Sequence, residues 1–421
     1  MDFNLPPDLV AYLAELDAFI EREIRPLEAA DDNIRFFDHR REWARTDFDG
    51  GGLPRQEWEQ LLRAARRRAD AAGHWRFSLP RAYGGRDGSH LWMAVIREHL
   101  AARGLGLHND LQTEHSIVGN LPLVLVLRDF GTPEQQQALI PGVFDETMKM
   151  SFGLTEPEHG SDATHMDTRA VRETRGGRGG WRIDGQKMWT TGMHIASHCL
   201  VFARTSGAPG DARGITALIV PTATPGVKVE EYYWTFNMPT DHPRVSFTDV
   251  WVDDGALLGE EGRGLAAAQH FVHENRIRQA ASSLGAADYC VRESVAYARQ
   301  RKPFGKPLAA NQGIQFPLVE LATQVEMLRL LIRKTAWQMD QMPKPEVEHR
   351  LSDKVSMCNY WANRLVCEAA DRAMQVHGGL GYSRHKPFEH IYRHHRRYRI
   401  TEGSEEIQMR KVAGNLFGFL G

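Results

Sequence analysis

Trp181-Arg182-Ile183-Asp184-Gly185-Gln186-Lys187-Met188-Trp189-Thr190-Thr191-Gly192 marks the place where the apolar spacing of the chain changes from three-or-four to two. Asp-Gly supplies the positive-φ positions of a tight turn, so the stretch reads as a hairpin centred on Asp184-Gly185. Trp189 and Thr191, two apart, then share one strand face. Strand-like runs follow at 198–204, 214–221, 227–234 and 244–252, divided by loops such as Ser206-Gly207-Ala208-Pro209-Gly210. Short strands at this spacing predict a small β-sandwich or barrel. Upstream, Gly176-Gly177-Arg178-Gly179-Gly180 reads as a flexible surface loop.

On either side the period is helical. Leu9, Leu13, Leu16, Ile20 and Ile24 recur at helix spacing until Pro26 kinks or stops the run. Residues 30–55 are irregular and charged, with Gly50-Gly51-Gly52, and a second helix follows Pro54 with Trp58, Leu61, Leu62 and Ala65 on one side. Toward the C-terminus Leu321, Val325, Leu328, Ile332, Thr335 and Met339 form a core-facing stripe. Val355, Cys358, Ala362, Leu365, Ala369, Ala373 and Val376 form another, and a further helix begins at Pro387. The order is helical, β, helical: an α+β multidomain chain with an N-terminal helical domain over 1–149, a middle β-sandwich or barrel domain over 150–262 and a C-terminal four-helix bundle over 263–421.

Composition narrows the function. Of 421 residues, 42% are hydrophobic and 25% charged, the balance of a globular protein rather than a disordered or fibrous one. Lys+Arg 52 against Asp+Glu 54 leaves no global basic field for nucleic acid or an anionic membrane. Cys199, Cys290, Cys358 and Cys367 show no CxxC, which argues against a disulfide scaffold and a thiolate zinc site. The acidic start and the lack of a long apolar run point to a cytoplasmic protein without a membrane span. GxGxxG and GxxxxGK[ST] are both absent, which argues against a Rossmann domain and a P-loop. His390, His394 and His395, set among arginines, read as a solvated or interface face rather than as metal ligands, and no metal is expected.

Four segments hold the chemistry. Phe152-Gly153-Leu154-Thr155-Glu156-Pro157, followed by Gly160-Ser161-Asp162, opens the β region. Its exposed N–H groups and hydroxyls suit a polar-edged ring or a pyrophosphate, although a plain Ser/Asx loop reads the same way. Trp189 suits covering a ring system and Thr191 donating to one of its heteroatoms, and a packing pair is the alternative. Arg299-Gln300-Arg301-Lys302-Pro303-Phe304-Gly305, with Gln312, offers cations and an aromatic ring for a phosphate and a stacked adenine, or else cations balancing a helix C-terminus. Gln375-Val376-His377-Gly378-Gly379 permits close backbone approach to a ligand. Later, Glu402-Gly403 precedes Ser404, an N-cap with Glu405 and Glu406 in the first turn. A carboxylate at 402 can point into a cleft.

In this order, on this background, the four segments resemble the acyl-CoA dehydrogenase family from about Gly73 to the C-terminus. The resemblance implies three domains clamping FAD, in a homotetramer built as a dimer of dimers, or a homodimer. It implies that Phe152, Leu154 and Thr155 lie along the isoalloxazine, with Ser161 near the substrate and the flavin phosphates. Trp189 and Thr191 fall beside the flavin, the Thr hydroxyl near N5. Arg301, Phe304 and Gln312, with the turn Gln375, Val376, Gly378 and Gly379, hold the adenine–pyrophosphate half of a neighbouring subunit's FAD. Ser404 and Glu406 are flavin contacts. Asn275, Arg276 and Gly403, with Ser161, fall to the substrate.

Glu402 matches the catalytic base. It removes the α-proton of an acyl-CoA thioester as the β-hydrogen leaves as hydride to flavin N5, giving trans-2-enoyl-CoA, and an electron-transferring flavoprotein takes the electrons. Ser404 replaces the commoner Thr. The alternative base position on a helix is Asn275, which cannot take a proton, and Glu274 lies ~100° off that face. Residues 30–55 exceed the usual connection. An acyl-CoA oxidase, a flavin monooxygenase or a silent FAD/acyl-CoA binding protein are the competing readings, and Glu402 and Thr191 argue against the last two.

Overall fold

The computed structural model describes residues 4–110 and 115–419. Its main helices, in chain order, are α1 (Pro7–Phe19), α2 (Gln56–Ala71), α3 (His90–Ala102), α4 (Pro122–Phe130), α5 (Pro133–Phe144), α6 (Gly264–Gln300), α7 (Gln312–Asp340), α8 (Lys344–His377), α9 (Phe388–Tyr398) and α10 (Glu405–Leu416). The sheet strands are β1 (Met150–Gly153), β2 (Arg169–Arg175), β3 (Arg178–Met188), β4 (His198–Arg204), β5 (Ile215–Pro221), β6 (Val227–Tyr232), β7 (Pro243–Asp253) and β8 (Leu257–Leu258). The chain forms two compact units. One comprises Met1–Arg45, Arg55–Asn120 and His273–Gly421; the other Thr46–Pro54 and Leu121–Val272.

The helical unit is built on the stripes anticipated from the sequence. Leu321, Val325, Leu328, Ile332 and Met339 of α7 bury against Val355, Cys358, Ala362, Leu365, Ala369 and Ala373 of α8, with Ile277 and Leu284 of α6 in the same cluster. Each Leu, Ile, Val or Met among them taken out of water contributes about 1.5–3 kcal/mol. The N-terminal run passes Pro26 rather than stopping there. A π-helical turn, Ile20–Ile24, precedes it and one more turn, Arg25–Ala29, follows, so the wide turn absorbs the missing N–H.

The second unit is a curled sheet. Among the described residues it has eight strands in the order β6-β7-β3-β2-β4-β5-β8, with β1 beside β4. Trp181, Ile183, Val245 and Phe247 from one part share a core with Cys199, Val201, Leu218 and Val220 from the other. The hairpin is not where Asp184-Gly185 suggested. Strand β3 runs straight through that dipeptide, and the turn is Gly176-Gly177, with Arg175 paired to Arg178. Both glycines have positive φ, 58° and 77°, as a two-residue hairpin turn requires. The expected flexible loop is therefore the turn itself, and Trp189 to Gly192 lie just beyond the strand end rather than on it. Asp184 instead accepts from the Asp249 amide (2.8 Å) at a bulge in β7. Gly185 is needed for space, because a Cβ there would lie 2.5 Å from Thr168 Oγ1.

The charged segment after residue 30 has structure of its own. Short 3₁₀ turns, Ala30–Phe36 and His39–Ala44, lead to a two-strand hairpin, Thr46-Asp47 with Leu53-Pro54, which belongs to the β unit. The histidines of α9 overturn the solvated-face reading. His390, His394 and His395 are buried, His394 against the Tyr398 hydroxyl (3.2 Å) and His395 against Ser283 (3.0 Å). Burial, reinforced by Arg397, holds the His395 imidazole down at about 3. Among the described residues no helix is long and apolar enough to cross a membrane.

Candidate active site

In the helical unit the loop between α9 and α10 presents Glu402 in a left-handed conformation, φ 56°, followed by Gly403 at φ 86°. A non-glycine residue is held there only when its surroundings over-determine it. Here the clamp is Arg276, buried on α6. Its Nε and Nη2 donate to the Glu402 carbonyl at 2.9 and 2.6 Å. Burial pulls the guanidinium below its ordinary pKa, and the Glu402 charge opposes that pull. A Cβ at position 403 would come within 2.7 Å of Arg276 Nη2, so glycine is what admits the guanidinium.

A buried amide network fixes the loop from behind. Gln408 Nε2 donates to the Gly403 carbonyl (2.7 Å) and to Asn359 Oδ1 (3.0 Å), and Asn359 Nδ2 donates to the Arg276 carbonyl (2.9 Å). The next residue, Ser404, is the N-cap of α10, its Oγ accepting from the Ile407 amide (3.4 Å). Glu405 is spent on Arg399 and Arg364; chiefly through Arg399 its carboxyl is held at about 2. Glu406 is exposed.

The backbone of the loop is thus fixed, while the Glu402 carboxylate has the Asn275 amide at 3.5 Å. Glu274 is committed elsewhere. It accepts from Arg278 (3.2 Å) and contacts His90 Nε2 (2.9 Å), whose other nitrogen meets Asp340 (2.7 Å). The three carboxylates therefore differ in role: Asp340 and Glu274 hold a histidine, whereas Glu402 has the Asn275 amide beside it.

At one end of the same unit the Tyr297 and His377 rings stack with centroids 4.2 Å apart, which brings the ends of α6 and α8 together. Arg301 and Gln312 are exposed near that end, and Phe304, at φ 55°, is fully exposed. The neighbouring turn has Gln375, Gly378 and Gly379 exposed and Val376 buried. Gly378 has φ 61°, and neither glycine has an atom within 4 Å of where a Cβ would sit. Cations, a bare ring and open main chain are a donor set suited to a phosphate and a stacked base.

In the β unit, Leu154, Thr155 and Glu156 leave β1 over a buried ion pair. Lys187 Nζ donates to Glu156 Oε1 (2.7 Å) and to the Leu154 carbonyl (3.2 Å). Burial works against the Glu156 charge, but Lys187 and the amides of Thr168 and Asp167 hold the carboxyl below its ordinary range. Phe152 is half-buried, stacked on Phe271 at 4.5 Å and beside Phe202 at 4.9 Å. Ser161 is exposed.

Trp189 is 46% exposed with its ring 4.9 Å from Tyr233, and the exposed Thr191 hydroxyl lies 2.8 Å from His242 Nδ1. Sequence reasoning did not find His242, Asp241, Asn359 or Gln408. His242 meets Thr191, and Asp241 meets Gly192, only through the register of β3 with β7, and the amides are brought in only by α8 and α10.

Comparison with known proteins identifies the family. The domain descriptions "Acyl-CoA dehydrogenase, N-terminal domain", "middle domain" and "C-terminal domain" match residues 7–147, 151–250 and 262–417. The chain is 33% identical to the 3-(aryl)acrylate reductase of Clostridium sporogenes, over 82% of this chain and 87% of that one. It is 30% identical to the caffeyl-CoA reductase-Etf complex subunit CarC of Acetobacterium woodii, over 82% and 87%. The butyryl-CoA dehydrogenase structure from Megasphaera elsdenii superposes with TM-score 0.77 at 26% identity, covering 99% of this chain and all (100%) of that one. The chain belongs to the acyl-CoA dehydrogenase family, a family of flavoprotein oxidoreductases of acyl-CoA metabolism.

Proposed function

We propose that the protein binds FAD and removes the α and β hydrogens of an acyl-CoA thioester to give the trans-2-enoyl thioester. The observation that supports this most is Glu402, a carboxylate on a left-handed loop whose main chain is clamped by Arg276, with the Asn275 amide beside it. When bound, FAD supplies hydride acceptance at N5.

The chain's own residues do the rest. Glu402 takes the α-proton, and its backbone N–H donates to the thioester carbonyl, where charge develops as that proton leaves. Asn275 and Arg276 hold Glu402 and border the substrate with Ser161 and Gly403. The Thr191 hydroxyl would donate to the bound flavin and Trp189 would cover its ring, with Phe152, Leu154 and Thr155 helping to hold it. Ser404 keeps its hydroxyl hydrogen for the cofactor while its oxygen caps α10, and Glu406 lies beside it. Arg301, Phe304 and Gln312, with Gln375, Val376, Gly378 and Gly379, hold the adenine–pyrophosphate half of a neighbour's FAD. A homotetramer, or a homodimer, follows from that sharing. The exposed apolar row Phe316, Val319, Met327, Leu330 and Trp337 on α7 suits such an assembly. An electron-transferring flavoprotein is the proposed acceptor, in keeping with the Acetobacterium relative's name.

A second reading has the same residues working in reverse, as an enoyl-CoA reductase, with Glu402 returning the proton. Two relatives named as reductases favour it. A panel of saturated and 2-enoyl acyl-CoAs separates the readings. It is run anaerobically with an artificial electron acceptor or with reduced flavin, and then in air. Bleaching of the flavin by a saturated thioester, with turnover through the acceptor and little oxygen uptake, is expected. Turnover that is confined to enoyl substrates supports the reverse direction. No bleaching by any thioester would sink the dehydrogenase reading.

A further inference from the structure

We propose that His242 is a positioning residue that aims the Thr191 hydroxyl hydrogen outward, toward flavin N5; this rests on the reading of Thr191 given above. The β3–β7 register places the strand ends side by side, and three main-chain bonds hold them. Thr190 N donates to the Pro243 carbonyl (3.3 Å), Gly192 N to the Asp241 carbonyl (3.0 Å) and Tyr233 N to the His242 carbonyl (3.1 Å). His242 Nδ1 then lies 2.8 Å from Thr191 Oγ1 and 3.3 Å from Asp241 Oδ1.

The donor inventory decides the direction of that contact. A hydroxyl has one hydrogen and two lone pairs, and an ionised carboxylate only accepts. Asp241 beside Nδ1 favours the hydrogen on that nitrogen. In that tautomer His242 donates to Thr191 Oγ1, and the single hydroxyl hydrogen is left for another acceptor. Among the described residues the alternative is the Trp189 carbonyl, at 3.5 Å, the outer limit of a hydrogen bond. Oxidised N5 carries a lone pair and accepts. The Asp241 carboxylate lies within ion-pair distance of the His242 ring.

The same loop explains the long segment after residue 30. Its hairpin braces residues 233–242: Thr240 N donates to the Gly52 carbonyl (2.9 Å) and Trp234 Nε1 to the Gly51 carbonyl (3.2 Å). Phe48 packs on Trp234 with centroids 5.7 Å apart. A Cβ at Gly52 would meet Met238 Cε at 2.8 Å, so glycine there leaves room for the Met238 side chain.

The test uses the FAD-loaded protein and two variants. His242→Leu removes the donor. His242→Asn keeps an N–H the same number of bonds from the main chain as Nδ1. The measurements are the midpoint potential and the visible absorption band of the bound flavin, together with kcat and KM. His242→Leu is expected to move the potential to a more positive value and to shift the band, because the Thr191 hydroxyl hydrogen is no longer aimed at oxidised N5. Its kcat should fall about tenfold, the scale of one hydrogen bond, while KM changes little. His242→Asn should return all three toward wild type. A leucine variant that retains FAD with wild-type potential and band overturns the proposal, as does an asparagine variant displaced as far as the leucine one. Wild-type protein that takes up no FAD overturns the underlying reading of Thr191 instead.

Discussion

Glu402, the proposed base, and Gly403 both lie in the left-handed region, at φ 56° and 86°. A left-handed glutamate costs of order 1–3 kcal/mol unless its surroundings hold it, and Arg276 does so through the Glu402 carbonyl. Gly403→Ala places a methyl group where Arg276 Nη2 now lies. The guanidinium is the movable partner, so the variant should fold with a loss of about 1–2 kcal/mol. Its flavin reduction should slow at least tenfold as the clamp opens, and thermal melts and single-turnover kinetics check the two halves. His90 gives a prediction in pH. Burial lowers its pKa, but Glu274 and Asp340 outweigh that and raise it from 6.5 to about 9. A raised histidine contributes stability that is complete below its unfolded value and is lost as pH rises through the folded one. Melting temperature should therefore fall between pH 6.5 and about 9 more steeply in wild type than in His90→Gln, and parallel curves would refute the assignment.

Among the elements, the helices were the most legible. Leu321 to Met339 and Val355 to Val376 repeat at the helix period, and their burial follows from that period alone. Glu402 and Ser404 were legible for a different reason: a cap and its first turn are local. What stayed hidden depends on distant pairing. Asp184-Gly185 and Gly176-Gly177 are both sound turn signals, and only the pairing of the full length of β3 with β2 and β7 selects the second. On α9 the arginines suggested solvent. Rotation of the helix buries His390, His394 and His395 and turns Arg393 onto Glu42 and Glu389. His242 and Gln408 reach their site through contacts 51 and 49 residues away in sequence. The turn assignment is testable. Gly177→Ala meets no neighbour, so only its φ of 77° opposes it, at about 1 kcal/mol. Gly185→Ala drives a methyl group into the Thr168 main chain, 2.6 Å away, and should cost clearly more in urea unfolding. The reverse ranking would restore the turn to Asp184-Gly185.

At the scale of the whole molecule, the helical unit exposes groups suited to a second copy of the chain. Phe304 is bare, Arg301 is exposed beside it, and α7 shows an apolar row to solvent. If these groups serve a neighbour's FAD, Arg301→Ala should release flavin on dilution or gel filtration, because a planar donor set is lost. A stable monomer with full flavin occupancy would count against that sharing. The most direct test of the central claim is anaerobic stopped-flow reduction of the flavin by acyl-CoA in Glu402→Gln, with Glu274→Gln as the comparison. The Glu402 variant should fold, hold FAD and bind acyl-CoA, yet reduce its flavin at least ~10²-fold more slowly, the lower range for a general base. The Glu274 variant should reduce its flavin much faster than that. Near-normal reduction by Glu402→Gln would remove Glu402 from the chemistry and contradict the account.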